Sequence, residues 1–327
     1  MRIAILGRTS LLFNSMKLLA SCGHEIVVIG ACKAAPEYDV TEKDFEQYAD
    51  EHSIKFFCNA NLENADVLGL LEEVGADIAV SVNWVNIISA KVIGKFKYGI
   101  LNAHAGDLPR YRGNACPNWA ILLGEKSIGV SVHFMAPGEL DSGDVLLKKY
   151  YDVNGQTQIG EIYQWLNTVI PGMFLEAVSG LENGTIVSSV QSKNKNAWLR
   201  VYPRKPSDGL IDWNKSALEI ERLVNASSEP FAGAYTWYKM NKMIIWRAFS
   251  KTWDCPSVAV PGQVLRKDRV TGQVDIACGE GVLRLVEISL EGFEGKKSPA
   301  EVITSMRDRV GMNVEDEIYR LYRKMMS

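Results

Sequence analysis

The chain has no C-x-x-C pair: its six cysteines, Cys22, Cys32, Cys58, Cys116, Cys255 and Cys278, are scattered over 327 residues. That spacing argues against a zinc ribbon or a disulfide framework and reads as reduced thiols. No stretch approaches the roughly 18 apolar residues of a membrane span. The opening MRIAILGRTS lacks the charged, long apolar and small-residue regions of a signal peptide, so the expected location is the cytoplasm. Net charge is small: 36 Lys and Arg face 39 Asp and Glu, a formal charge of -3. Phosphate backbones and anionic membranes are therefore not attracted in general, and a nucleic-acid partner would need a local basic patch. No G-x-G-x-x-G follows the first apolar run, where GRTSLLF stands instead, and Gly7 reads as a tight turn into a helix.

What is present is ordinary for a soluble enzyme, with 47% hydrophobic and 23% charged residues and length enough for two domains. The first half alternates strand-like runs (2–7, 25–32, 77–82, 99–104, 128–135) with helix-like ones (11–21, 41–52, 62–74, 88–96, 117–124, 159–181). Continuous apolar strands between helices imply a doubly wound, mostly parallel sheet buried on both faces, a Rossmann-like α/β arrangement. Ligands of such sheets sit at the carboxyl ends of the strands. Residues 192–208 are polar, locally basic and Pro-containing, which reads as a surface linker. Beyond them come a short helix (217–226) and β-rich runs at 234–248, 262–266, 273–278 and 282–289, the pattern of a small barrel-like domain, then one or two terminal helices over 300–327. The expected division is a catalytic domain at 1–190, a linker at 191–208 and a β-rich C-terminal domain at 209–327.

The chain has only four histidines. His24 and His52 fall at a turn and a helix end, where a solvated ring is expected. His133 lies mid-strand in GVSVHFM and reads equally as a satisfied core imidazole or as a participant. His104 ends a strand in LNAHAGDLPRYRG, and Asn102, two residues earlier, projects from the same face. An amide there can donate to a developing oxyanion. The loop APGELDSGDV supplies Asp141 and Asp144; a carboxylate reaching the imidazole would fix its tautomer and favour its protonated form. From spacing alone, a solvated carboxylate in a DSG turn is the simpler reading of Asp141.

In combination, Asn102, His104, the LPRYRG segment and the D-S-G at 141–143 resemble the 10-formyltetrahydrofolate-dependent formyltransferases, whose members carry N-x-H-x-S-L-L-P-x-Y-R-G, a strand containing a His, then D-x-G. The resemblance continues through DGLIDW (208–213), EPFAGAYTW, PGQVL and GEGVLRL, which are similar to the second, OB-like domain of the methionyl-tRNA and aminoarabinose-modifying members. It implies transfer of a formyl group from 10-formyltetrahydrofolate to a primary amine, with Asn102, His104 and Asp141 as the catalytic set and no metal. His104 would take the amine's proton, Asn102 would hydrogen-bond the oxyanion, and Asp141 would orient His104. The folate would lie against Val82, Asn83, Trp84, Val85, Asn86 and Ile87, read mainly through backbone groups. Ala136, Pro137, Gly138, Glu139 and Leu140 would complete its pocket. Trp84 serves equally as a ring-stacking wall or as a core or lid aromatic.

Three departures bear on the acceptor. Gly106 and Asp107 replace the usual Ser-Leu; Asn114 stands where the aminoarabinose enzyme has an arginine; and residues 33–46 are net acidic where the methionyl-tRNA enzyme carries a basic loop. The first alters the mouth for folate or acceptor, the second argues against the aminoarabinose sugar, and the third argues against a nucleic acid; the expected acceptor is the amine of another nucleotide-linked amino sugar, bound through Asp107, Arg110, Arg112 and Asn114. Methionyl-tRNA is the alternative acceptor, supported by the two-domain plan and the basic stretch at 193–204. Water as acceptor, or a non-catalytic nucleotide-binding module, are further readings. No membrane partner is expected, and the second domain or terminal helices offer a surface for a homodimer.

Overall fold

The computed structural model describes residues 1–35, 38–253, 258–311 and 314–326, so Cys255, part of the acidic 33–46 stretch and the last residue lie outside the described set. In chain order the elements are β1 (Arg2–Gly7), α1 (Ser10–Ser21), β2 (Glu25–Ala31), α2 (Glu42–Glu51), β3 (Lys55–Cys58), α3 (Ala65–Val74), β4 (Ile78–Val82), α4 (Ala90–Ile93) and β5 (Ile100–His104). They continue with β6 (Arg112–Gly113), α5 (Cys116–Leu123), β7 (Ser127–Phe134), β8 (Val145–Asp152), α6 (Ile159–Glu182) and β9 (Arg200–Val201). The remainder is α7 (Ala217–Ser227), β10 (Ala234–Tyr238), β11 (Asn241–Lys251), β12 (Val264–Lys267), β13 (Val274–Ala277), β14 (Val282–Leu290), α8 (Pro299–Val302) and α9 (Val314–Met326). None of the described helices is long and apolar enough to cross a membrane. Two compact units emerge: residues 1–117, 127–152 and 162–203 form one, and 118–126, 153–161 and 204–327 form the other.

The first unit is built on a seven-stranded sheet in the order β3-β2-β1-β4-β5-β7-β8. Its central strands are buried, Ile3 to Leu6 and Ile78 to Val80 being fully enclosed. Strands β1 to β5 run parallel. The strand order reverses between β1 and β4, and the crevice beyond their carboxyl ends is where such sheets bind ligands. Gly7 is required there for a steric reason as well as for its φ of 146°: a Cβ on it would lie 2.1 Å from the carbonyl oxygen of Val82. Removing the side chain lets the ends of β1 and β4 close on one another at the floor of the crevice.

The sheet is parallel except at one edge, where β7 runs antiparallel to β5 and β8 antiparallel to β7. The apolar run of β7 is buried on both faces like a parallel strand, so its periodicity carries no direction. The register sets Asn102 opposite His133 and His104 opposite Ser131. The loop after Phe134 therefore leaves from beside Leu101, not from the carboxyl edge of β5. The segment expected to be helical over 88–96 contains a single turn, α4, and α3 begins only after Asn64, whose side chain accepts from the Asp66 and Val67 amides.

The second unit carries an antiparallel sheet in the order β10-β11-β14-β13-β12, with α7 packed on β11 and β14. Helix α7 starts at a Ser216/Glu219 capping box and lays Ile220 and Val224 on a core with Met243, Ile245, Leu283 and Leu285. The run expected over 234–248 is a hairpin, turned by Lys239 and Met240 with φ of 48° and 70°.

Candidate active site

Strand β5 ends with Asn102 and His104 on one face, both buried, as the two-residue period requires. His104 is enclosed by polar partners. Its Nε2 lies 2.6 Å from the Tyr111 carbonyl oxygen and 3.5 Å from Cys116 Sγ, and its Nδ1 is 3.6 Å from Asp141 Oδ1. Burial alone would lower its pKa. The nearby Asp141 carboxylate, with Cys116 and the Tyr111 carbonyl, overrides burial and raises it to about 10. At neutral pH the ring is an imidazolium with both nitrogens facing acceptors.

His133 has the opposite state. Burial, then the charge on His104, lowers its pKa to about 4. Its Nδ1 lies 2.7 Å from the Phe134 carbonyl oxygen and so carries the proton, which leaves Nε2 to accept from Asn102 Nδ2 at 3.1 Å. Of the sequence's two readings of His133, the satisfied buried imidazole describes its bonds, yet the ring also lines the cleft and fixes the orientation of Asn102.

Asp141 is held from several sides. Oδ2 accepts from the Gly113 amide at 2.9 Å, while Oδ1 is 3.6 Å from His104 and 3.8 Å from His133. The residue adopts a left-handed φ of 54°, uncommon outside glycine, and Gln191 Nε2 holds the turn by donating to the carbonyls of Asp141 and Gly143. A Cβ on Gly143 would fall 1.9 Å from the Phe134 carbonyl oxygen, which explains the Gly of DSG. The carboxylate is buried, not solvated in a turn.

These groups border a cleft of about 360 Å³ in the first unit. All six residues from Val82 to Ile87 line it, as do Ala136, Glu139 and Leu140; Pro137 and Gly138 do not. Trp84 lines the cleft while packing partly against the core. Val85 and Ile87 are 43% and 64% exposed and offer aliphatic surface to a flat, partly apolar ligand.

Of the expected acceptor contacts, only Asn114 lines the cleft. Asp107 accepts from Lys148 Nζ at 2.7 Å and from Tyr150 Oη at 3.0 Å. Arg110 is exposed, with its guanidinium over the Tyr111 ring. Arg112 is buried: it bonds Gln191 and Glu139 and stacks on Trp198 at 4.4 Å. Cys116 and Gln191 carried no sequence signal, since each meets the site through contacts between segments that no local motif encodes. Strand β9, in the stretch read as a linker, pairs with β6 next to the Gly113 amide that holds Asp141. Among the described residues no cluster of three or more His, Cys, Asp or Glu side chains is arranged for a metal ion.

Residues 1–178 match the formyl transferase family, and residues 204–306 match the formyl transferase C-terminal domain. The chain belongs to the formyl transferase family. A methionyl-tRNA formyltransferase from Solibacter usitatus is 30% identical over 303 residues, spanning 92% of this chain and 94% of that protein. Another from Ruminiclostridium cellulolyticum is 25% identical over 300 residues, spanning 91% and 94%. Among solved structures, the N-formyltransferase from Helicobacter canadensis in complex with folinic acid and dTDP-3-aminofucose superposes with a TM-score of 0.65 at 16% identity, over 88% of this chain and 99% of that one, and so shares the fold. The protein is a formyltransferase whose formyl donor is 10-formyltetrahydrofolate.

Proposed function

We propose that the protein transfers the formyl group of 10-formyltetrahydrofolate to the α-amine of methionyl-tRNA, in place of the amino-sugar acceptor expected from the sequence. The observation that carries this acceptor is similarity to methionyl-tRNA formyltransferases across both units, over 92% of the chain. Exposed cations support it: Lys193 and Lys195 precede β9, which carries Arg200 and pairs with the strand whose Gly113 amide holds Asp141. Cations placed there suit contacts to a phosphate backbone. The nucleotide-linked amino sugar is kept as a second reading by the acidity of α2, EKDFEQYADE, and by the dTDP-sugar ligand of the Helicobacter canadensis enzyme. Incubating the enzyme with 10-formyltetrahydrofolate and either charged initiator tRNA or a panel of UDP-, GDP- and dTDP-linked amino sugars separates the two. Formylated methionyl-tRNA is expected, with kcat/KM falling steeply as salt rises; formylation confined to a sugar would replace this reading.

The residues divide the chemistry as follows. An α-amine has a pKa of about 8, below the value of about 10 at His104, so a single proton shared between them rests on the imidazole. His104 thus excludes the ammonium form by charge and leaves the amine able to attack the formyl carbon. As the new C–N bond forms and the bond to the donor's nitrogen breaks, His104 gives its Nε2 proton to the departing nitrogen and takes one from the attacking amine. Asn102, pinned through one Nδ2 proton to His133, has the other for the oxyanion. Asp141 keeps the imidazolium oriented. The donor's ring system would lie against Val82 to Ile87.

The sign of the pH dependence follows. Below about pH 8 the acceptor must lose a proton to bind, so kcat/KM rises with pH there and levels off above it. Calorimetry in buffers of different ionisation enthalpy should show release of about one proton per acceptor bound near pH 6.5, declining toward zero by about pH 9. Constant proton uptake across that range would contradict the assignment.

A further inference from the structure

Gly106 sits between the imidazole of His104 and the carbonyl of Tyr111. A Cβ built on it would lie 2.5 Å from the Tyr111 oxygen and 2.6 Å from His104 Nε2, so a side chain cannot coexist with the 2.6 Å contact between those two atoms. The glycine itself has little room to yield. Its amide donates to the His104 carbonyl at 2.8 Å, and its carbonyl accepts from Ser131 Oγ at 2.8 Å and from the Leu108 amide at 3.1 Å. Ser131 is in turn the β7 residue registered opposite His104. Tyr111 is fixed from the other side: it is buried, holds a left-handed φ of 58°, and its carbonyl also accepts from Cys116 Sγ at 3.0 Å.

We propose that Gly106 is a positioning residue: by lacking a side chain it lets the Tyr111 carbonyl cap Nε2 of His104 and hold the ring's transferable proton until the acceptor is in place. The cap keeps the reactive nitrogen from water and from unproductive donation, and the ring is released to the substrate when the arriving amine and donor displace it from the carbonyl. Cys116, bonded to the same oxygen, restrains the cap. This inference rests on His104 being the proton-transfer group of the proposed function. Its test reads the ring directly, so a wrong acceptor leaves the test intact.

Gly106→Ala forces the Tyr111 carbonyl and the imidazole apart. By NMR titration of the ring, identified by the signal lost in His104→Gln, the variant should titrate measurably below the unsubstituted protein, with folinic acid binding within threefold of it. An unchanged ring titration in a folded variant that still binds folinic acid overturns the proposal. Should the variant not fold, the unsubstituted protein decides the matter. The His104 Nε2 proton should be seen at pH 7 to 8 as a downfield, slowly exchanging resonance; a ring bearing no proton on Nε2 there would overturn it.

Discussion

Replacing His104 by Ala lowers kcat by about 10²- to 10⁴-fold, the range that a positioned acid–base group contributes, while folate affinity changes little. The donor's expected wall, Val82 to Ile87, is a different segment from β5, so removing the imidazole leaves it in place. The variant also removes the charge that adds to burial in lowering the pKa of His133. Free of that repulsion and 3.8 Å from Asp141, His133 should titrate above its present value of about 4. Steady-state turnover together with donor affinity by fluorescence or calorimetry checks the first statement. A variant retaining more than a tenth of kcat would show that His104 carries no proton in the rate-limiting step.

Asp141→Asn has the second large effect, and it acts on both activity and stability. The substitution keeps an oxygen for the Gly113 amide but removes the negative charge that opposes burial at His104. Burial then dominates and the ring turns neutral near pH 7. Kcat should fall by about 10³-fold there, within the range for losing a matched acid–base group. The folded-state pKa of His104 lies above its unfolded value of about 6.5, so the ionised pair stabilises the fold fully below pH 6.5 and loses that contribution as pH rises toward about 10. The stability gap between the unsubstituted protein and the variant should therefore be about 3 kcal/mol near pH 6, the scale of a broken buried pair, and shrink by pH 10. Urea unfolding at the two pH values measures it. A gap that grows with pH would mean that His104 is neutral in the folded protein.

Much of this site could be read from the sequence because strands encode faces. Asn102 and His104 fall two apart at the end of an apolar run, and the structure puts both in the wall of one cleft. The parallel core of the sheet likewise follows from the alternation of apolar runs and helices. What could not be read are facts of direction and of closure between distant segments. The burial of β7 on both faces concealed that it runs antiparallel, and so concealed that the loop bearing Asp141 begins beside Leu101. The burial of Arg112 depends on Gln191, far along the chain, and on Trp198, which no local motif ties to it. Cys116 gives no sign of itself until the left-handed turn at Tyr111 brings a carbonyl to it. The charge state of His104 was the least accessible, since burial and the Asp141 carboxylate oppose one another and only their geometry decides which wins.

We propose that the His104, Asp141 and Asn102 assembly moves a formyl group from the folate to an amine. A single-turnover reaction with enzyme in excess over 10-formyltetrahydrofolate labelled in its formyl carbon, in the presence of charged initiator tRNA, tests it most directly. The label should appear as an amide on the methionyl amine at the rate that tetrahydrofolate forms, and His104→Ala should slow both together. Label recovered as free formate while the acceptor stays unmodified would contradict the account and make water the acceptor.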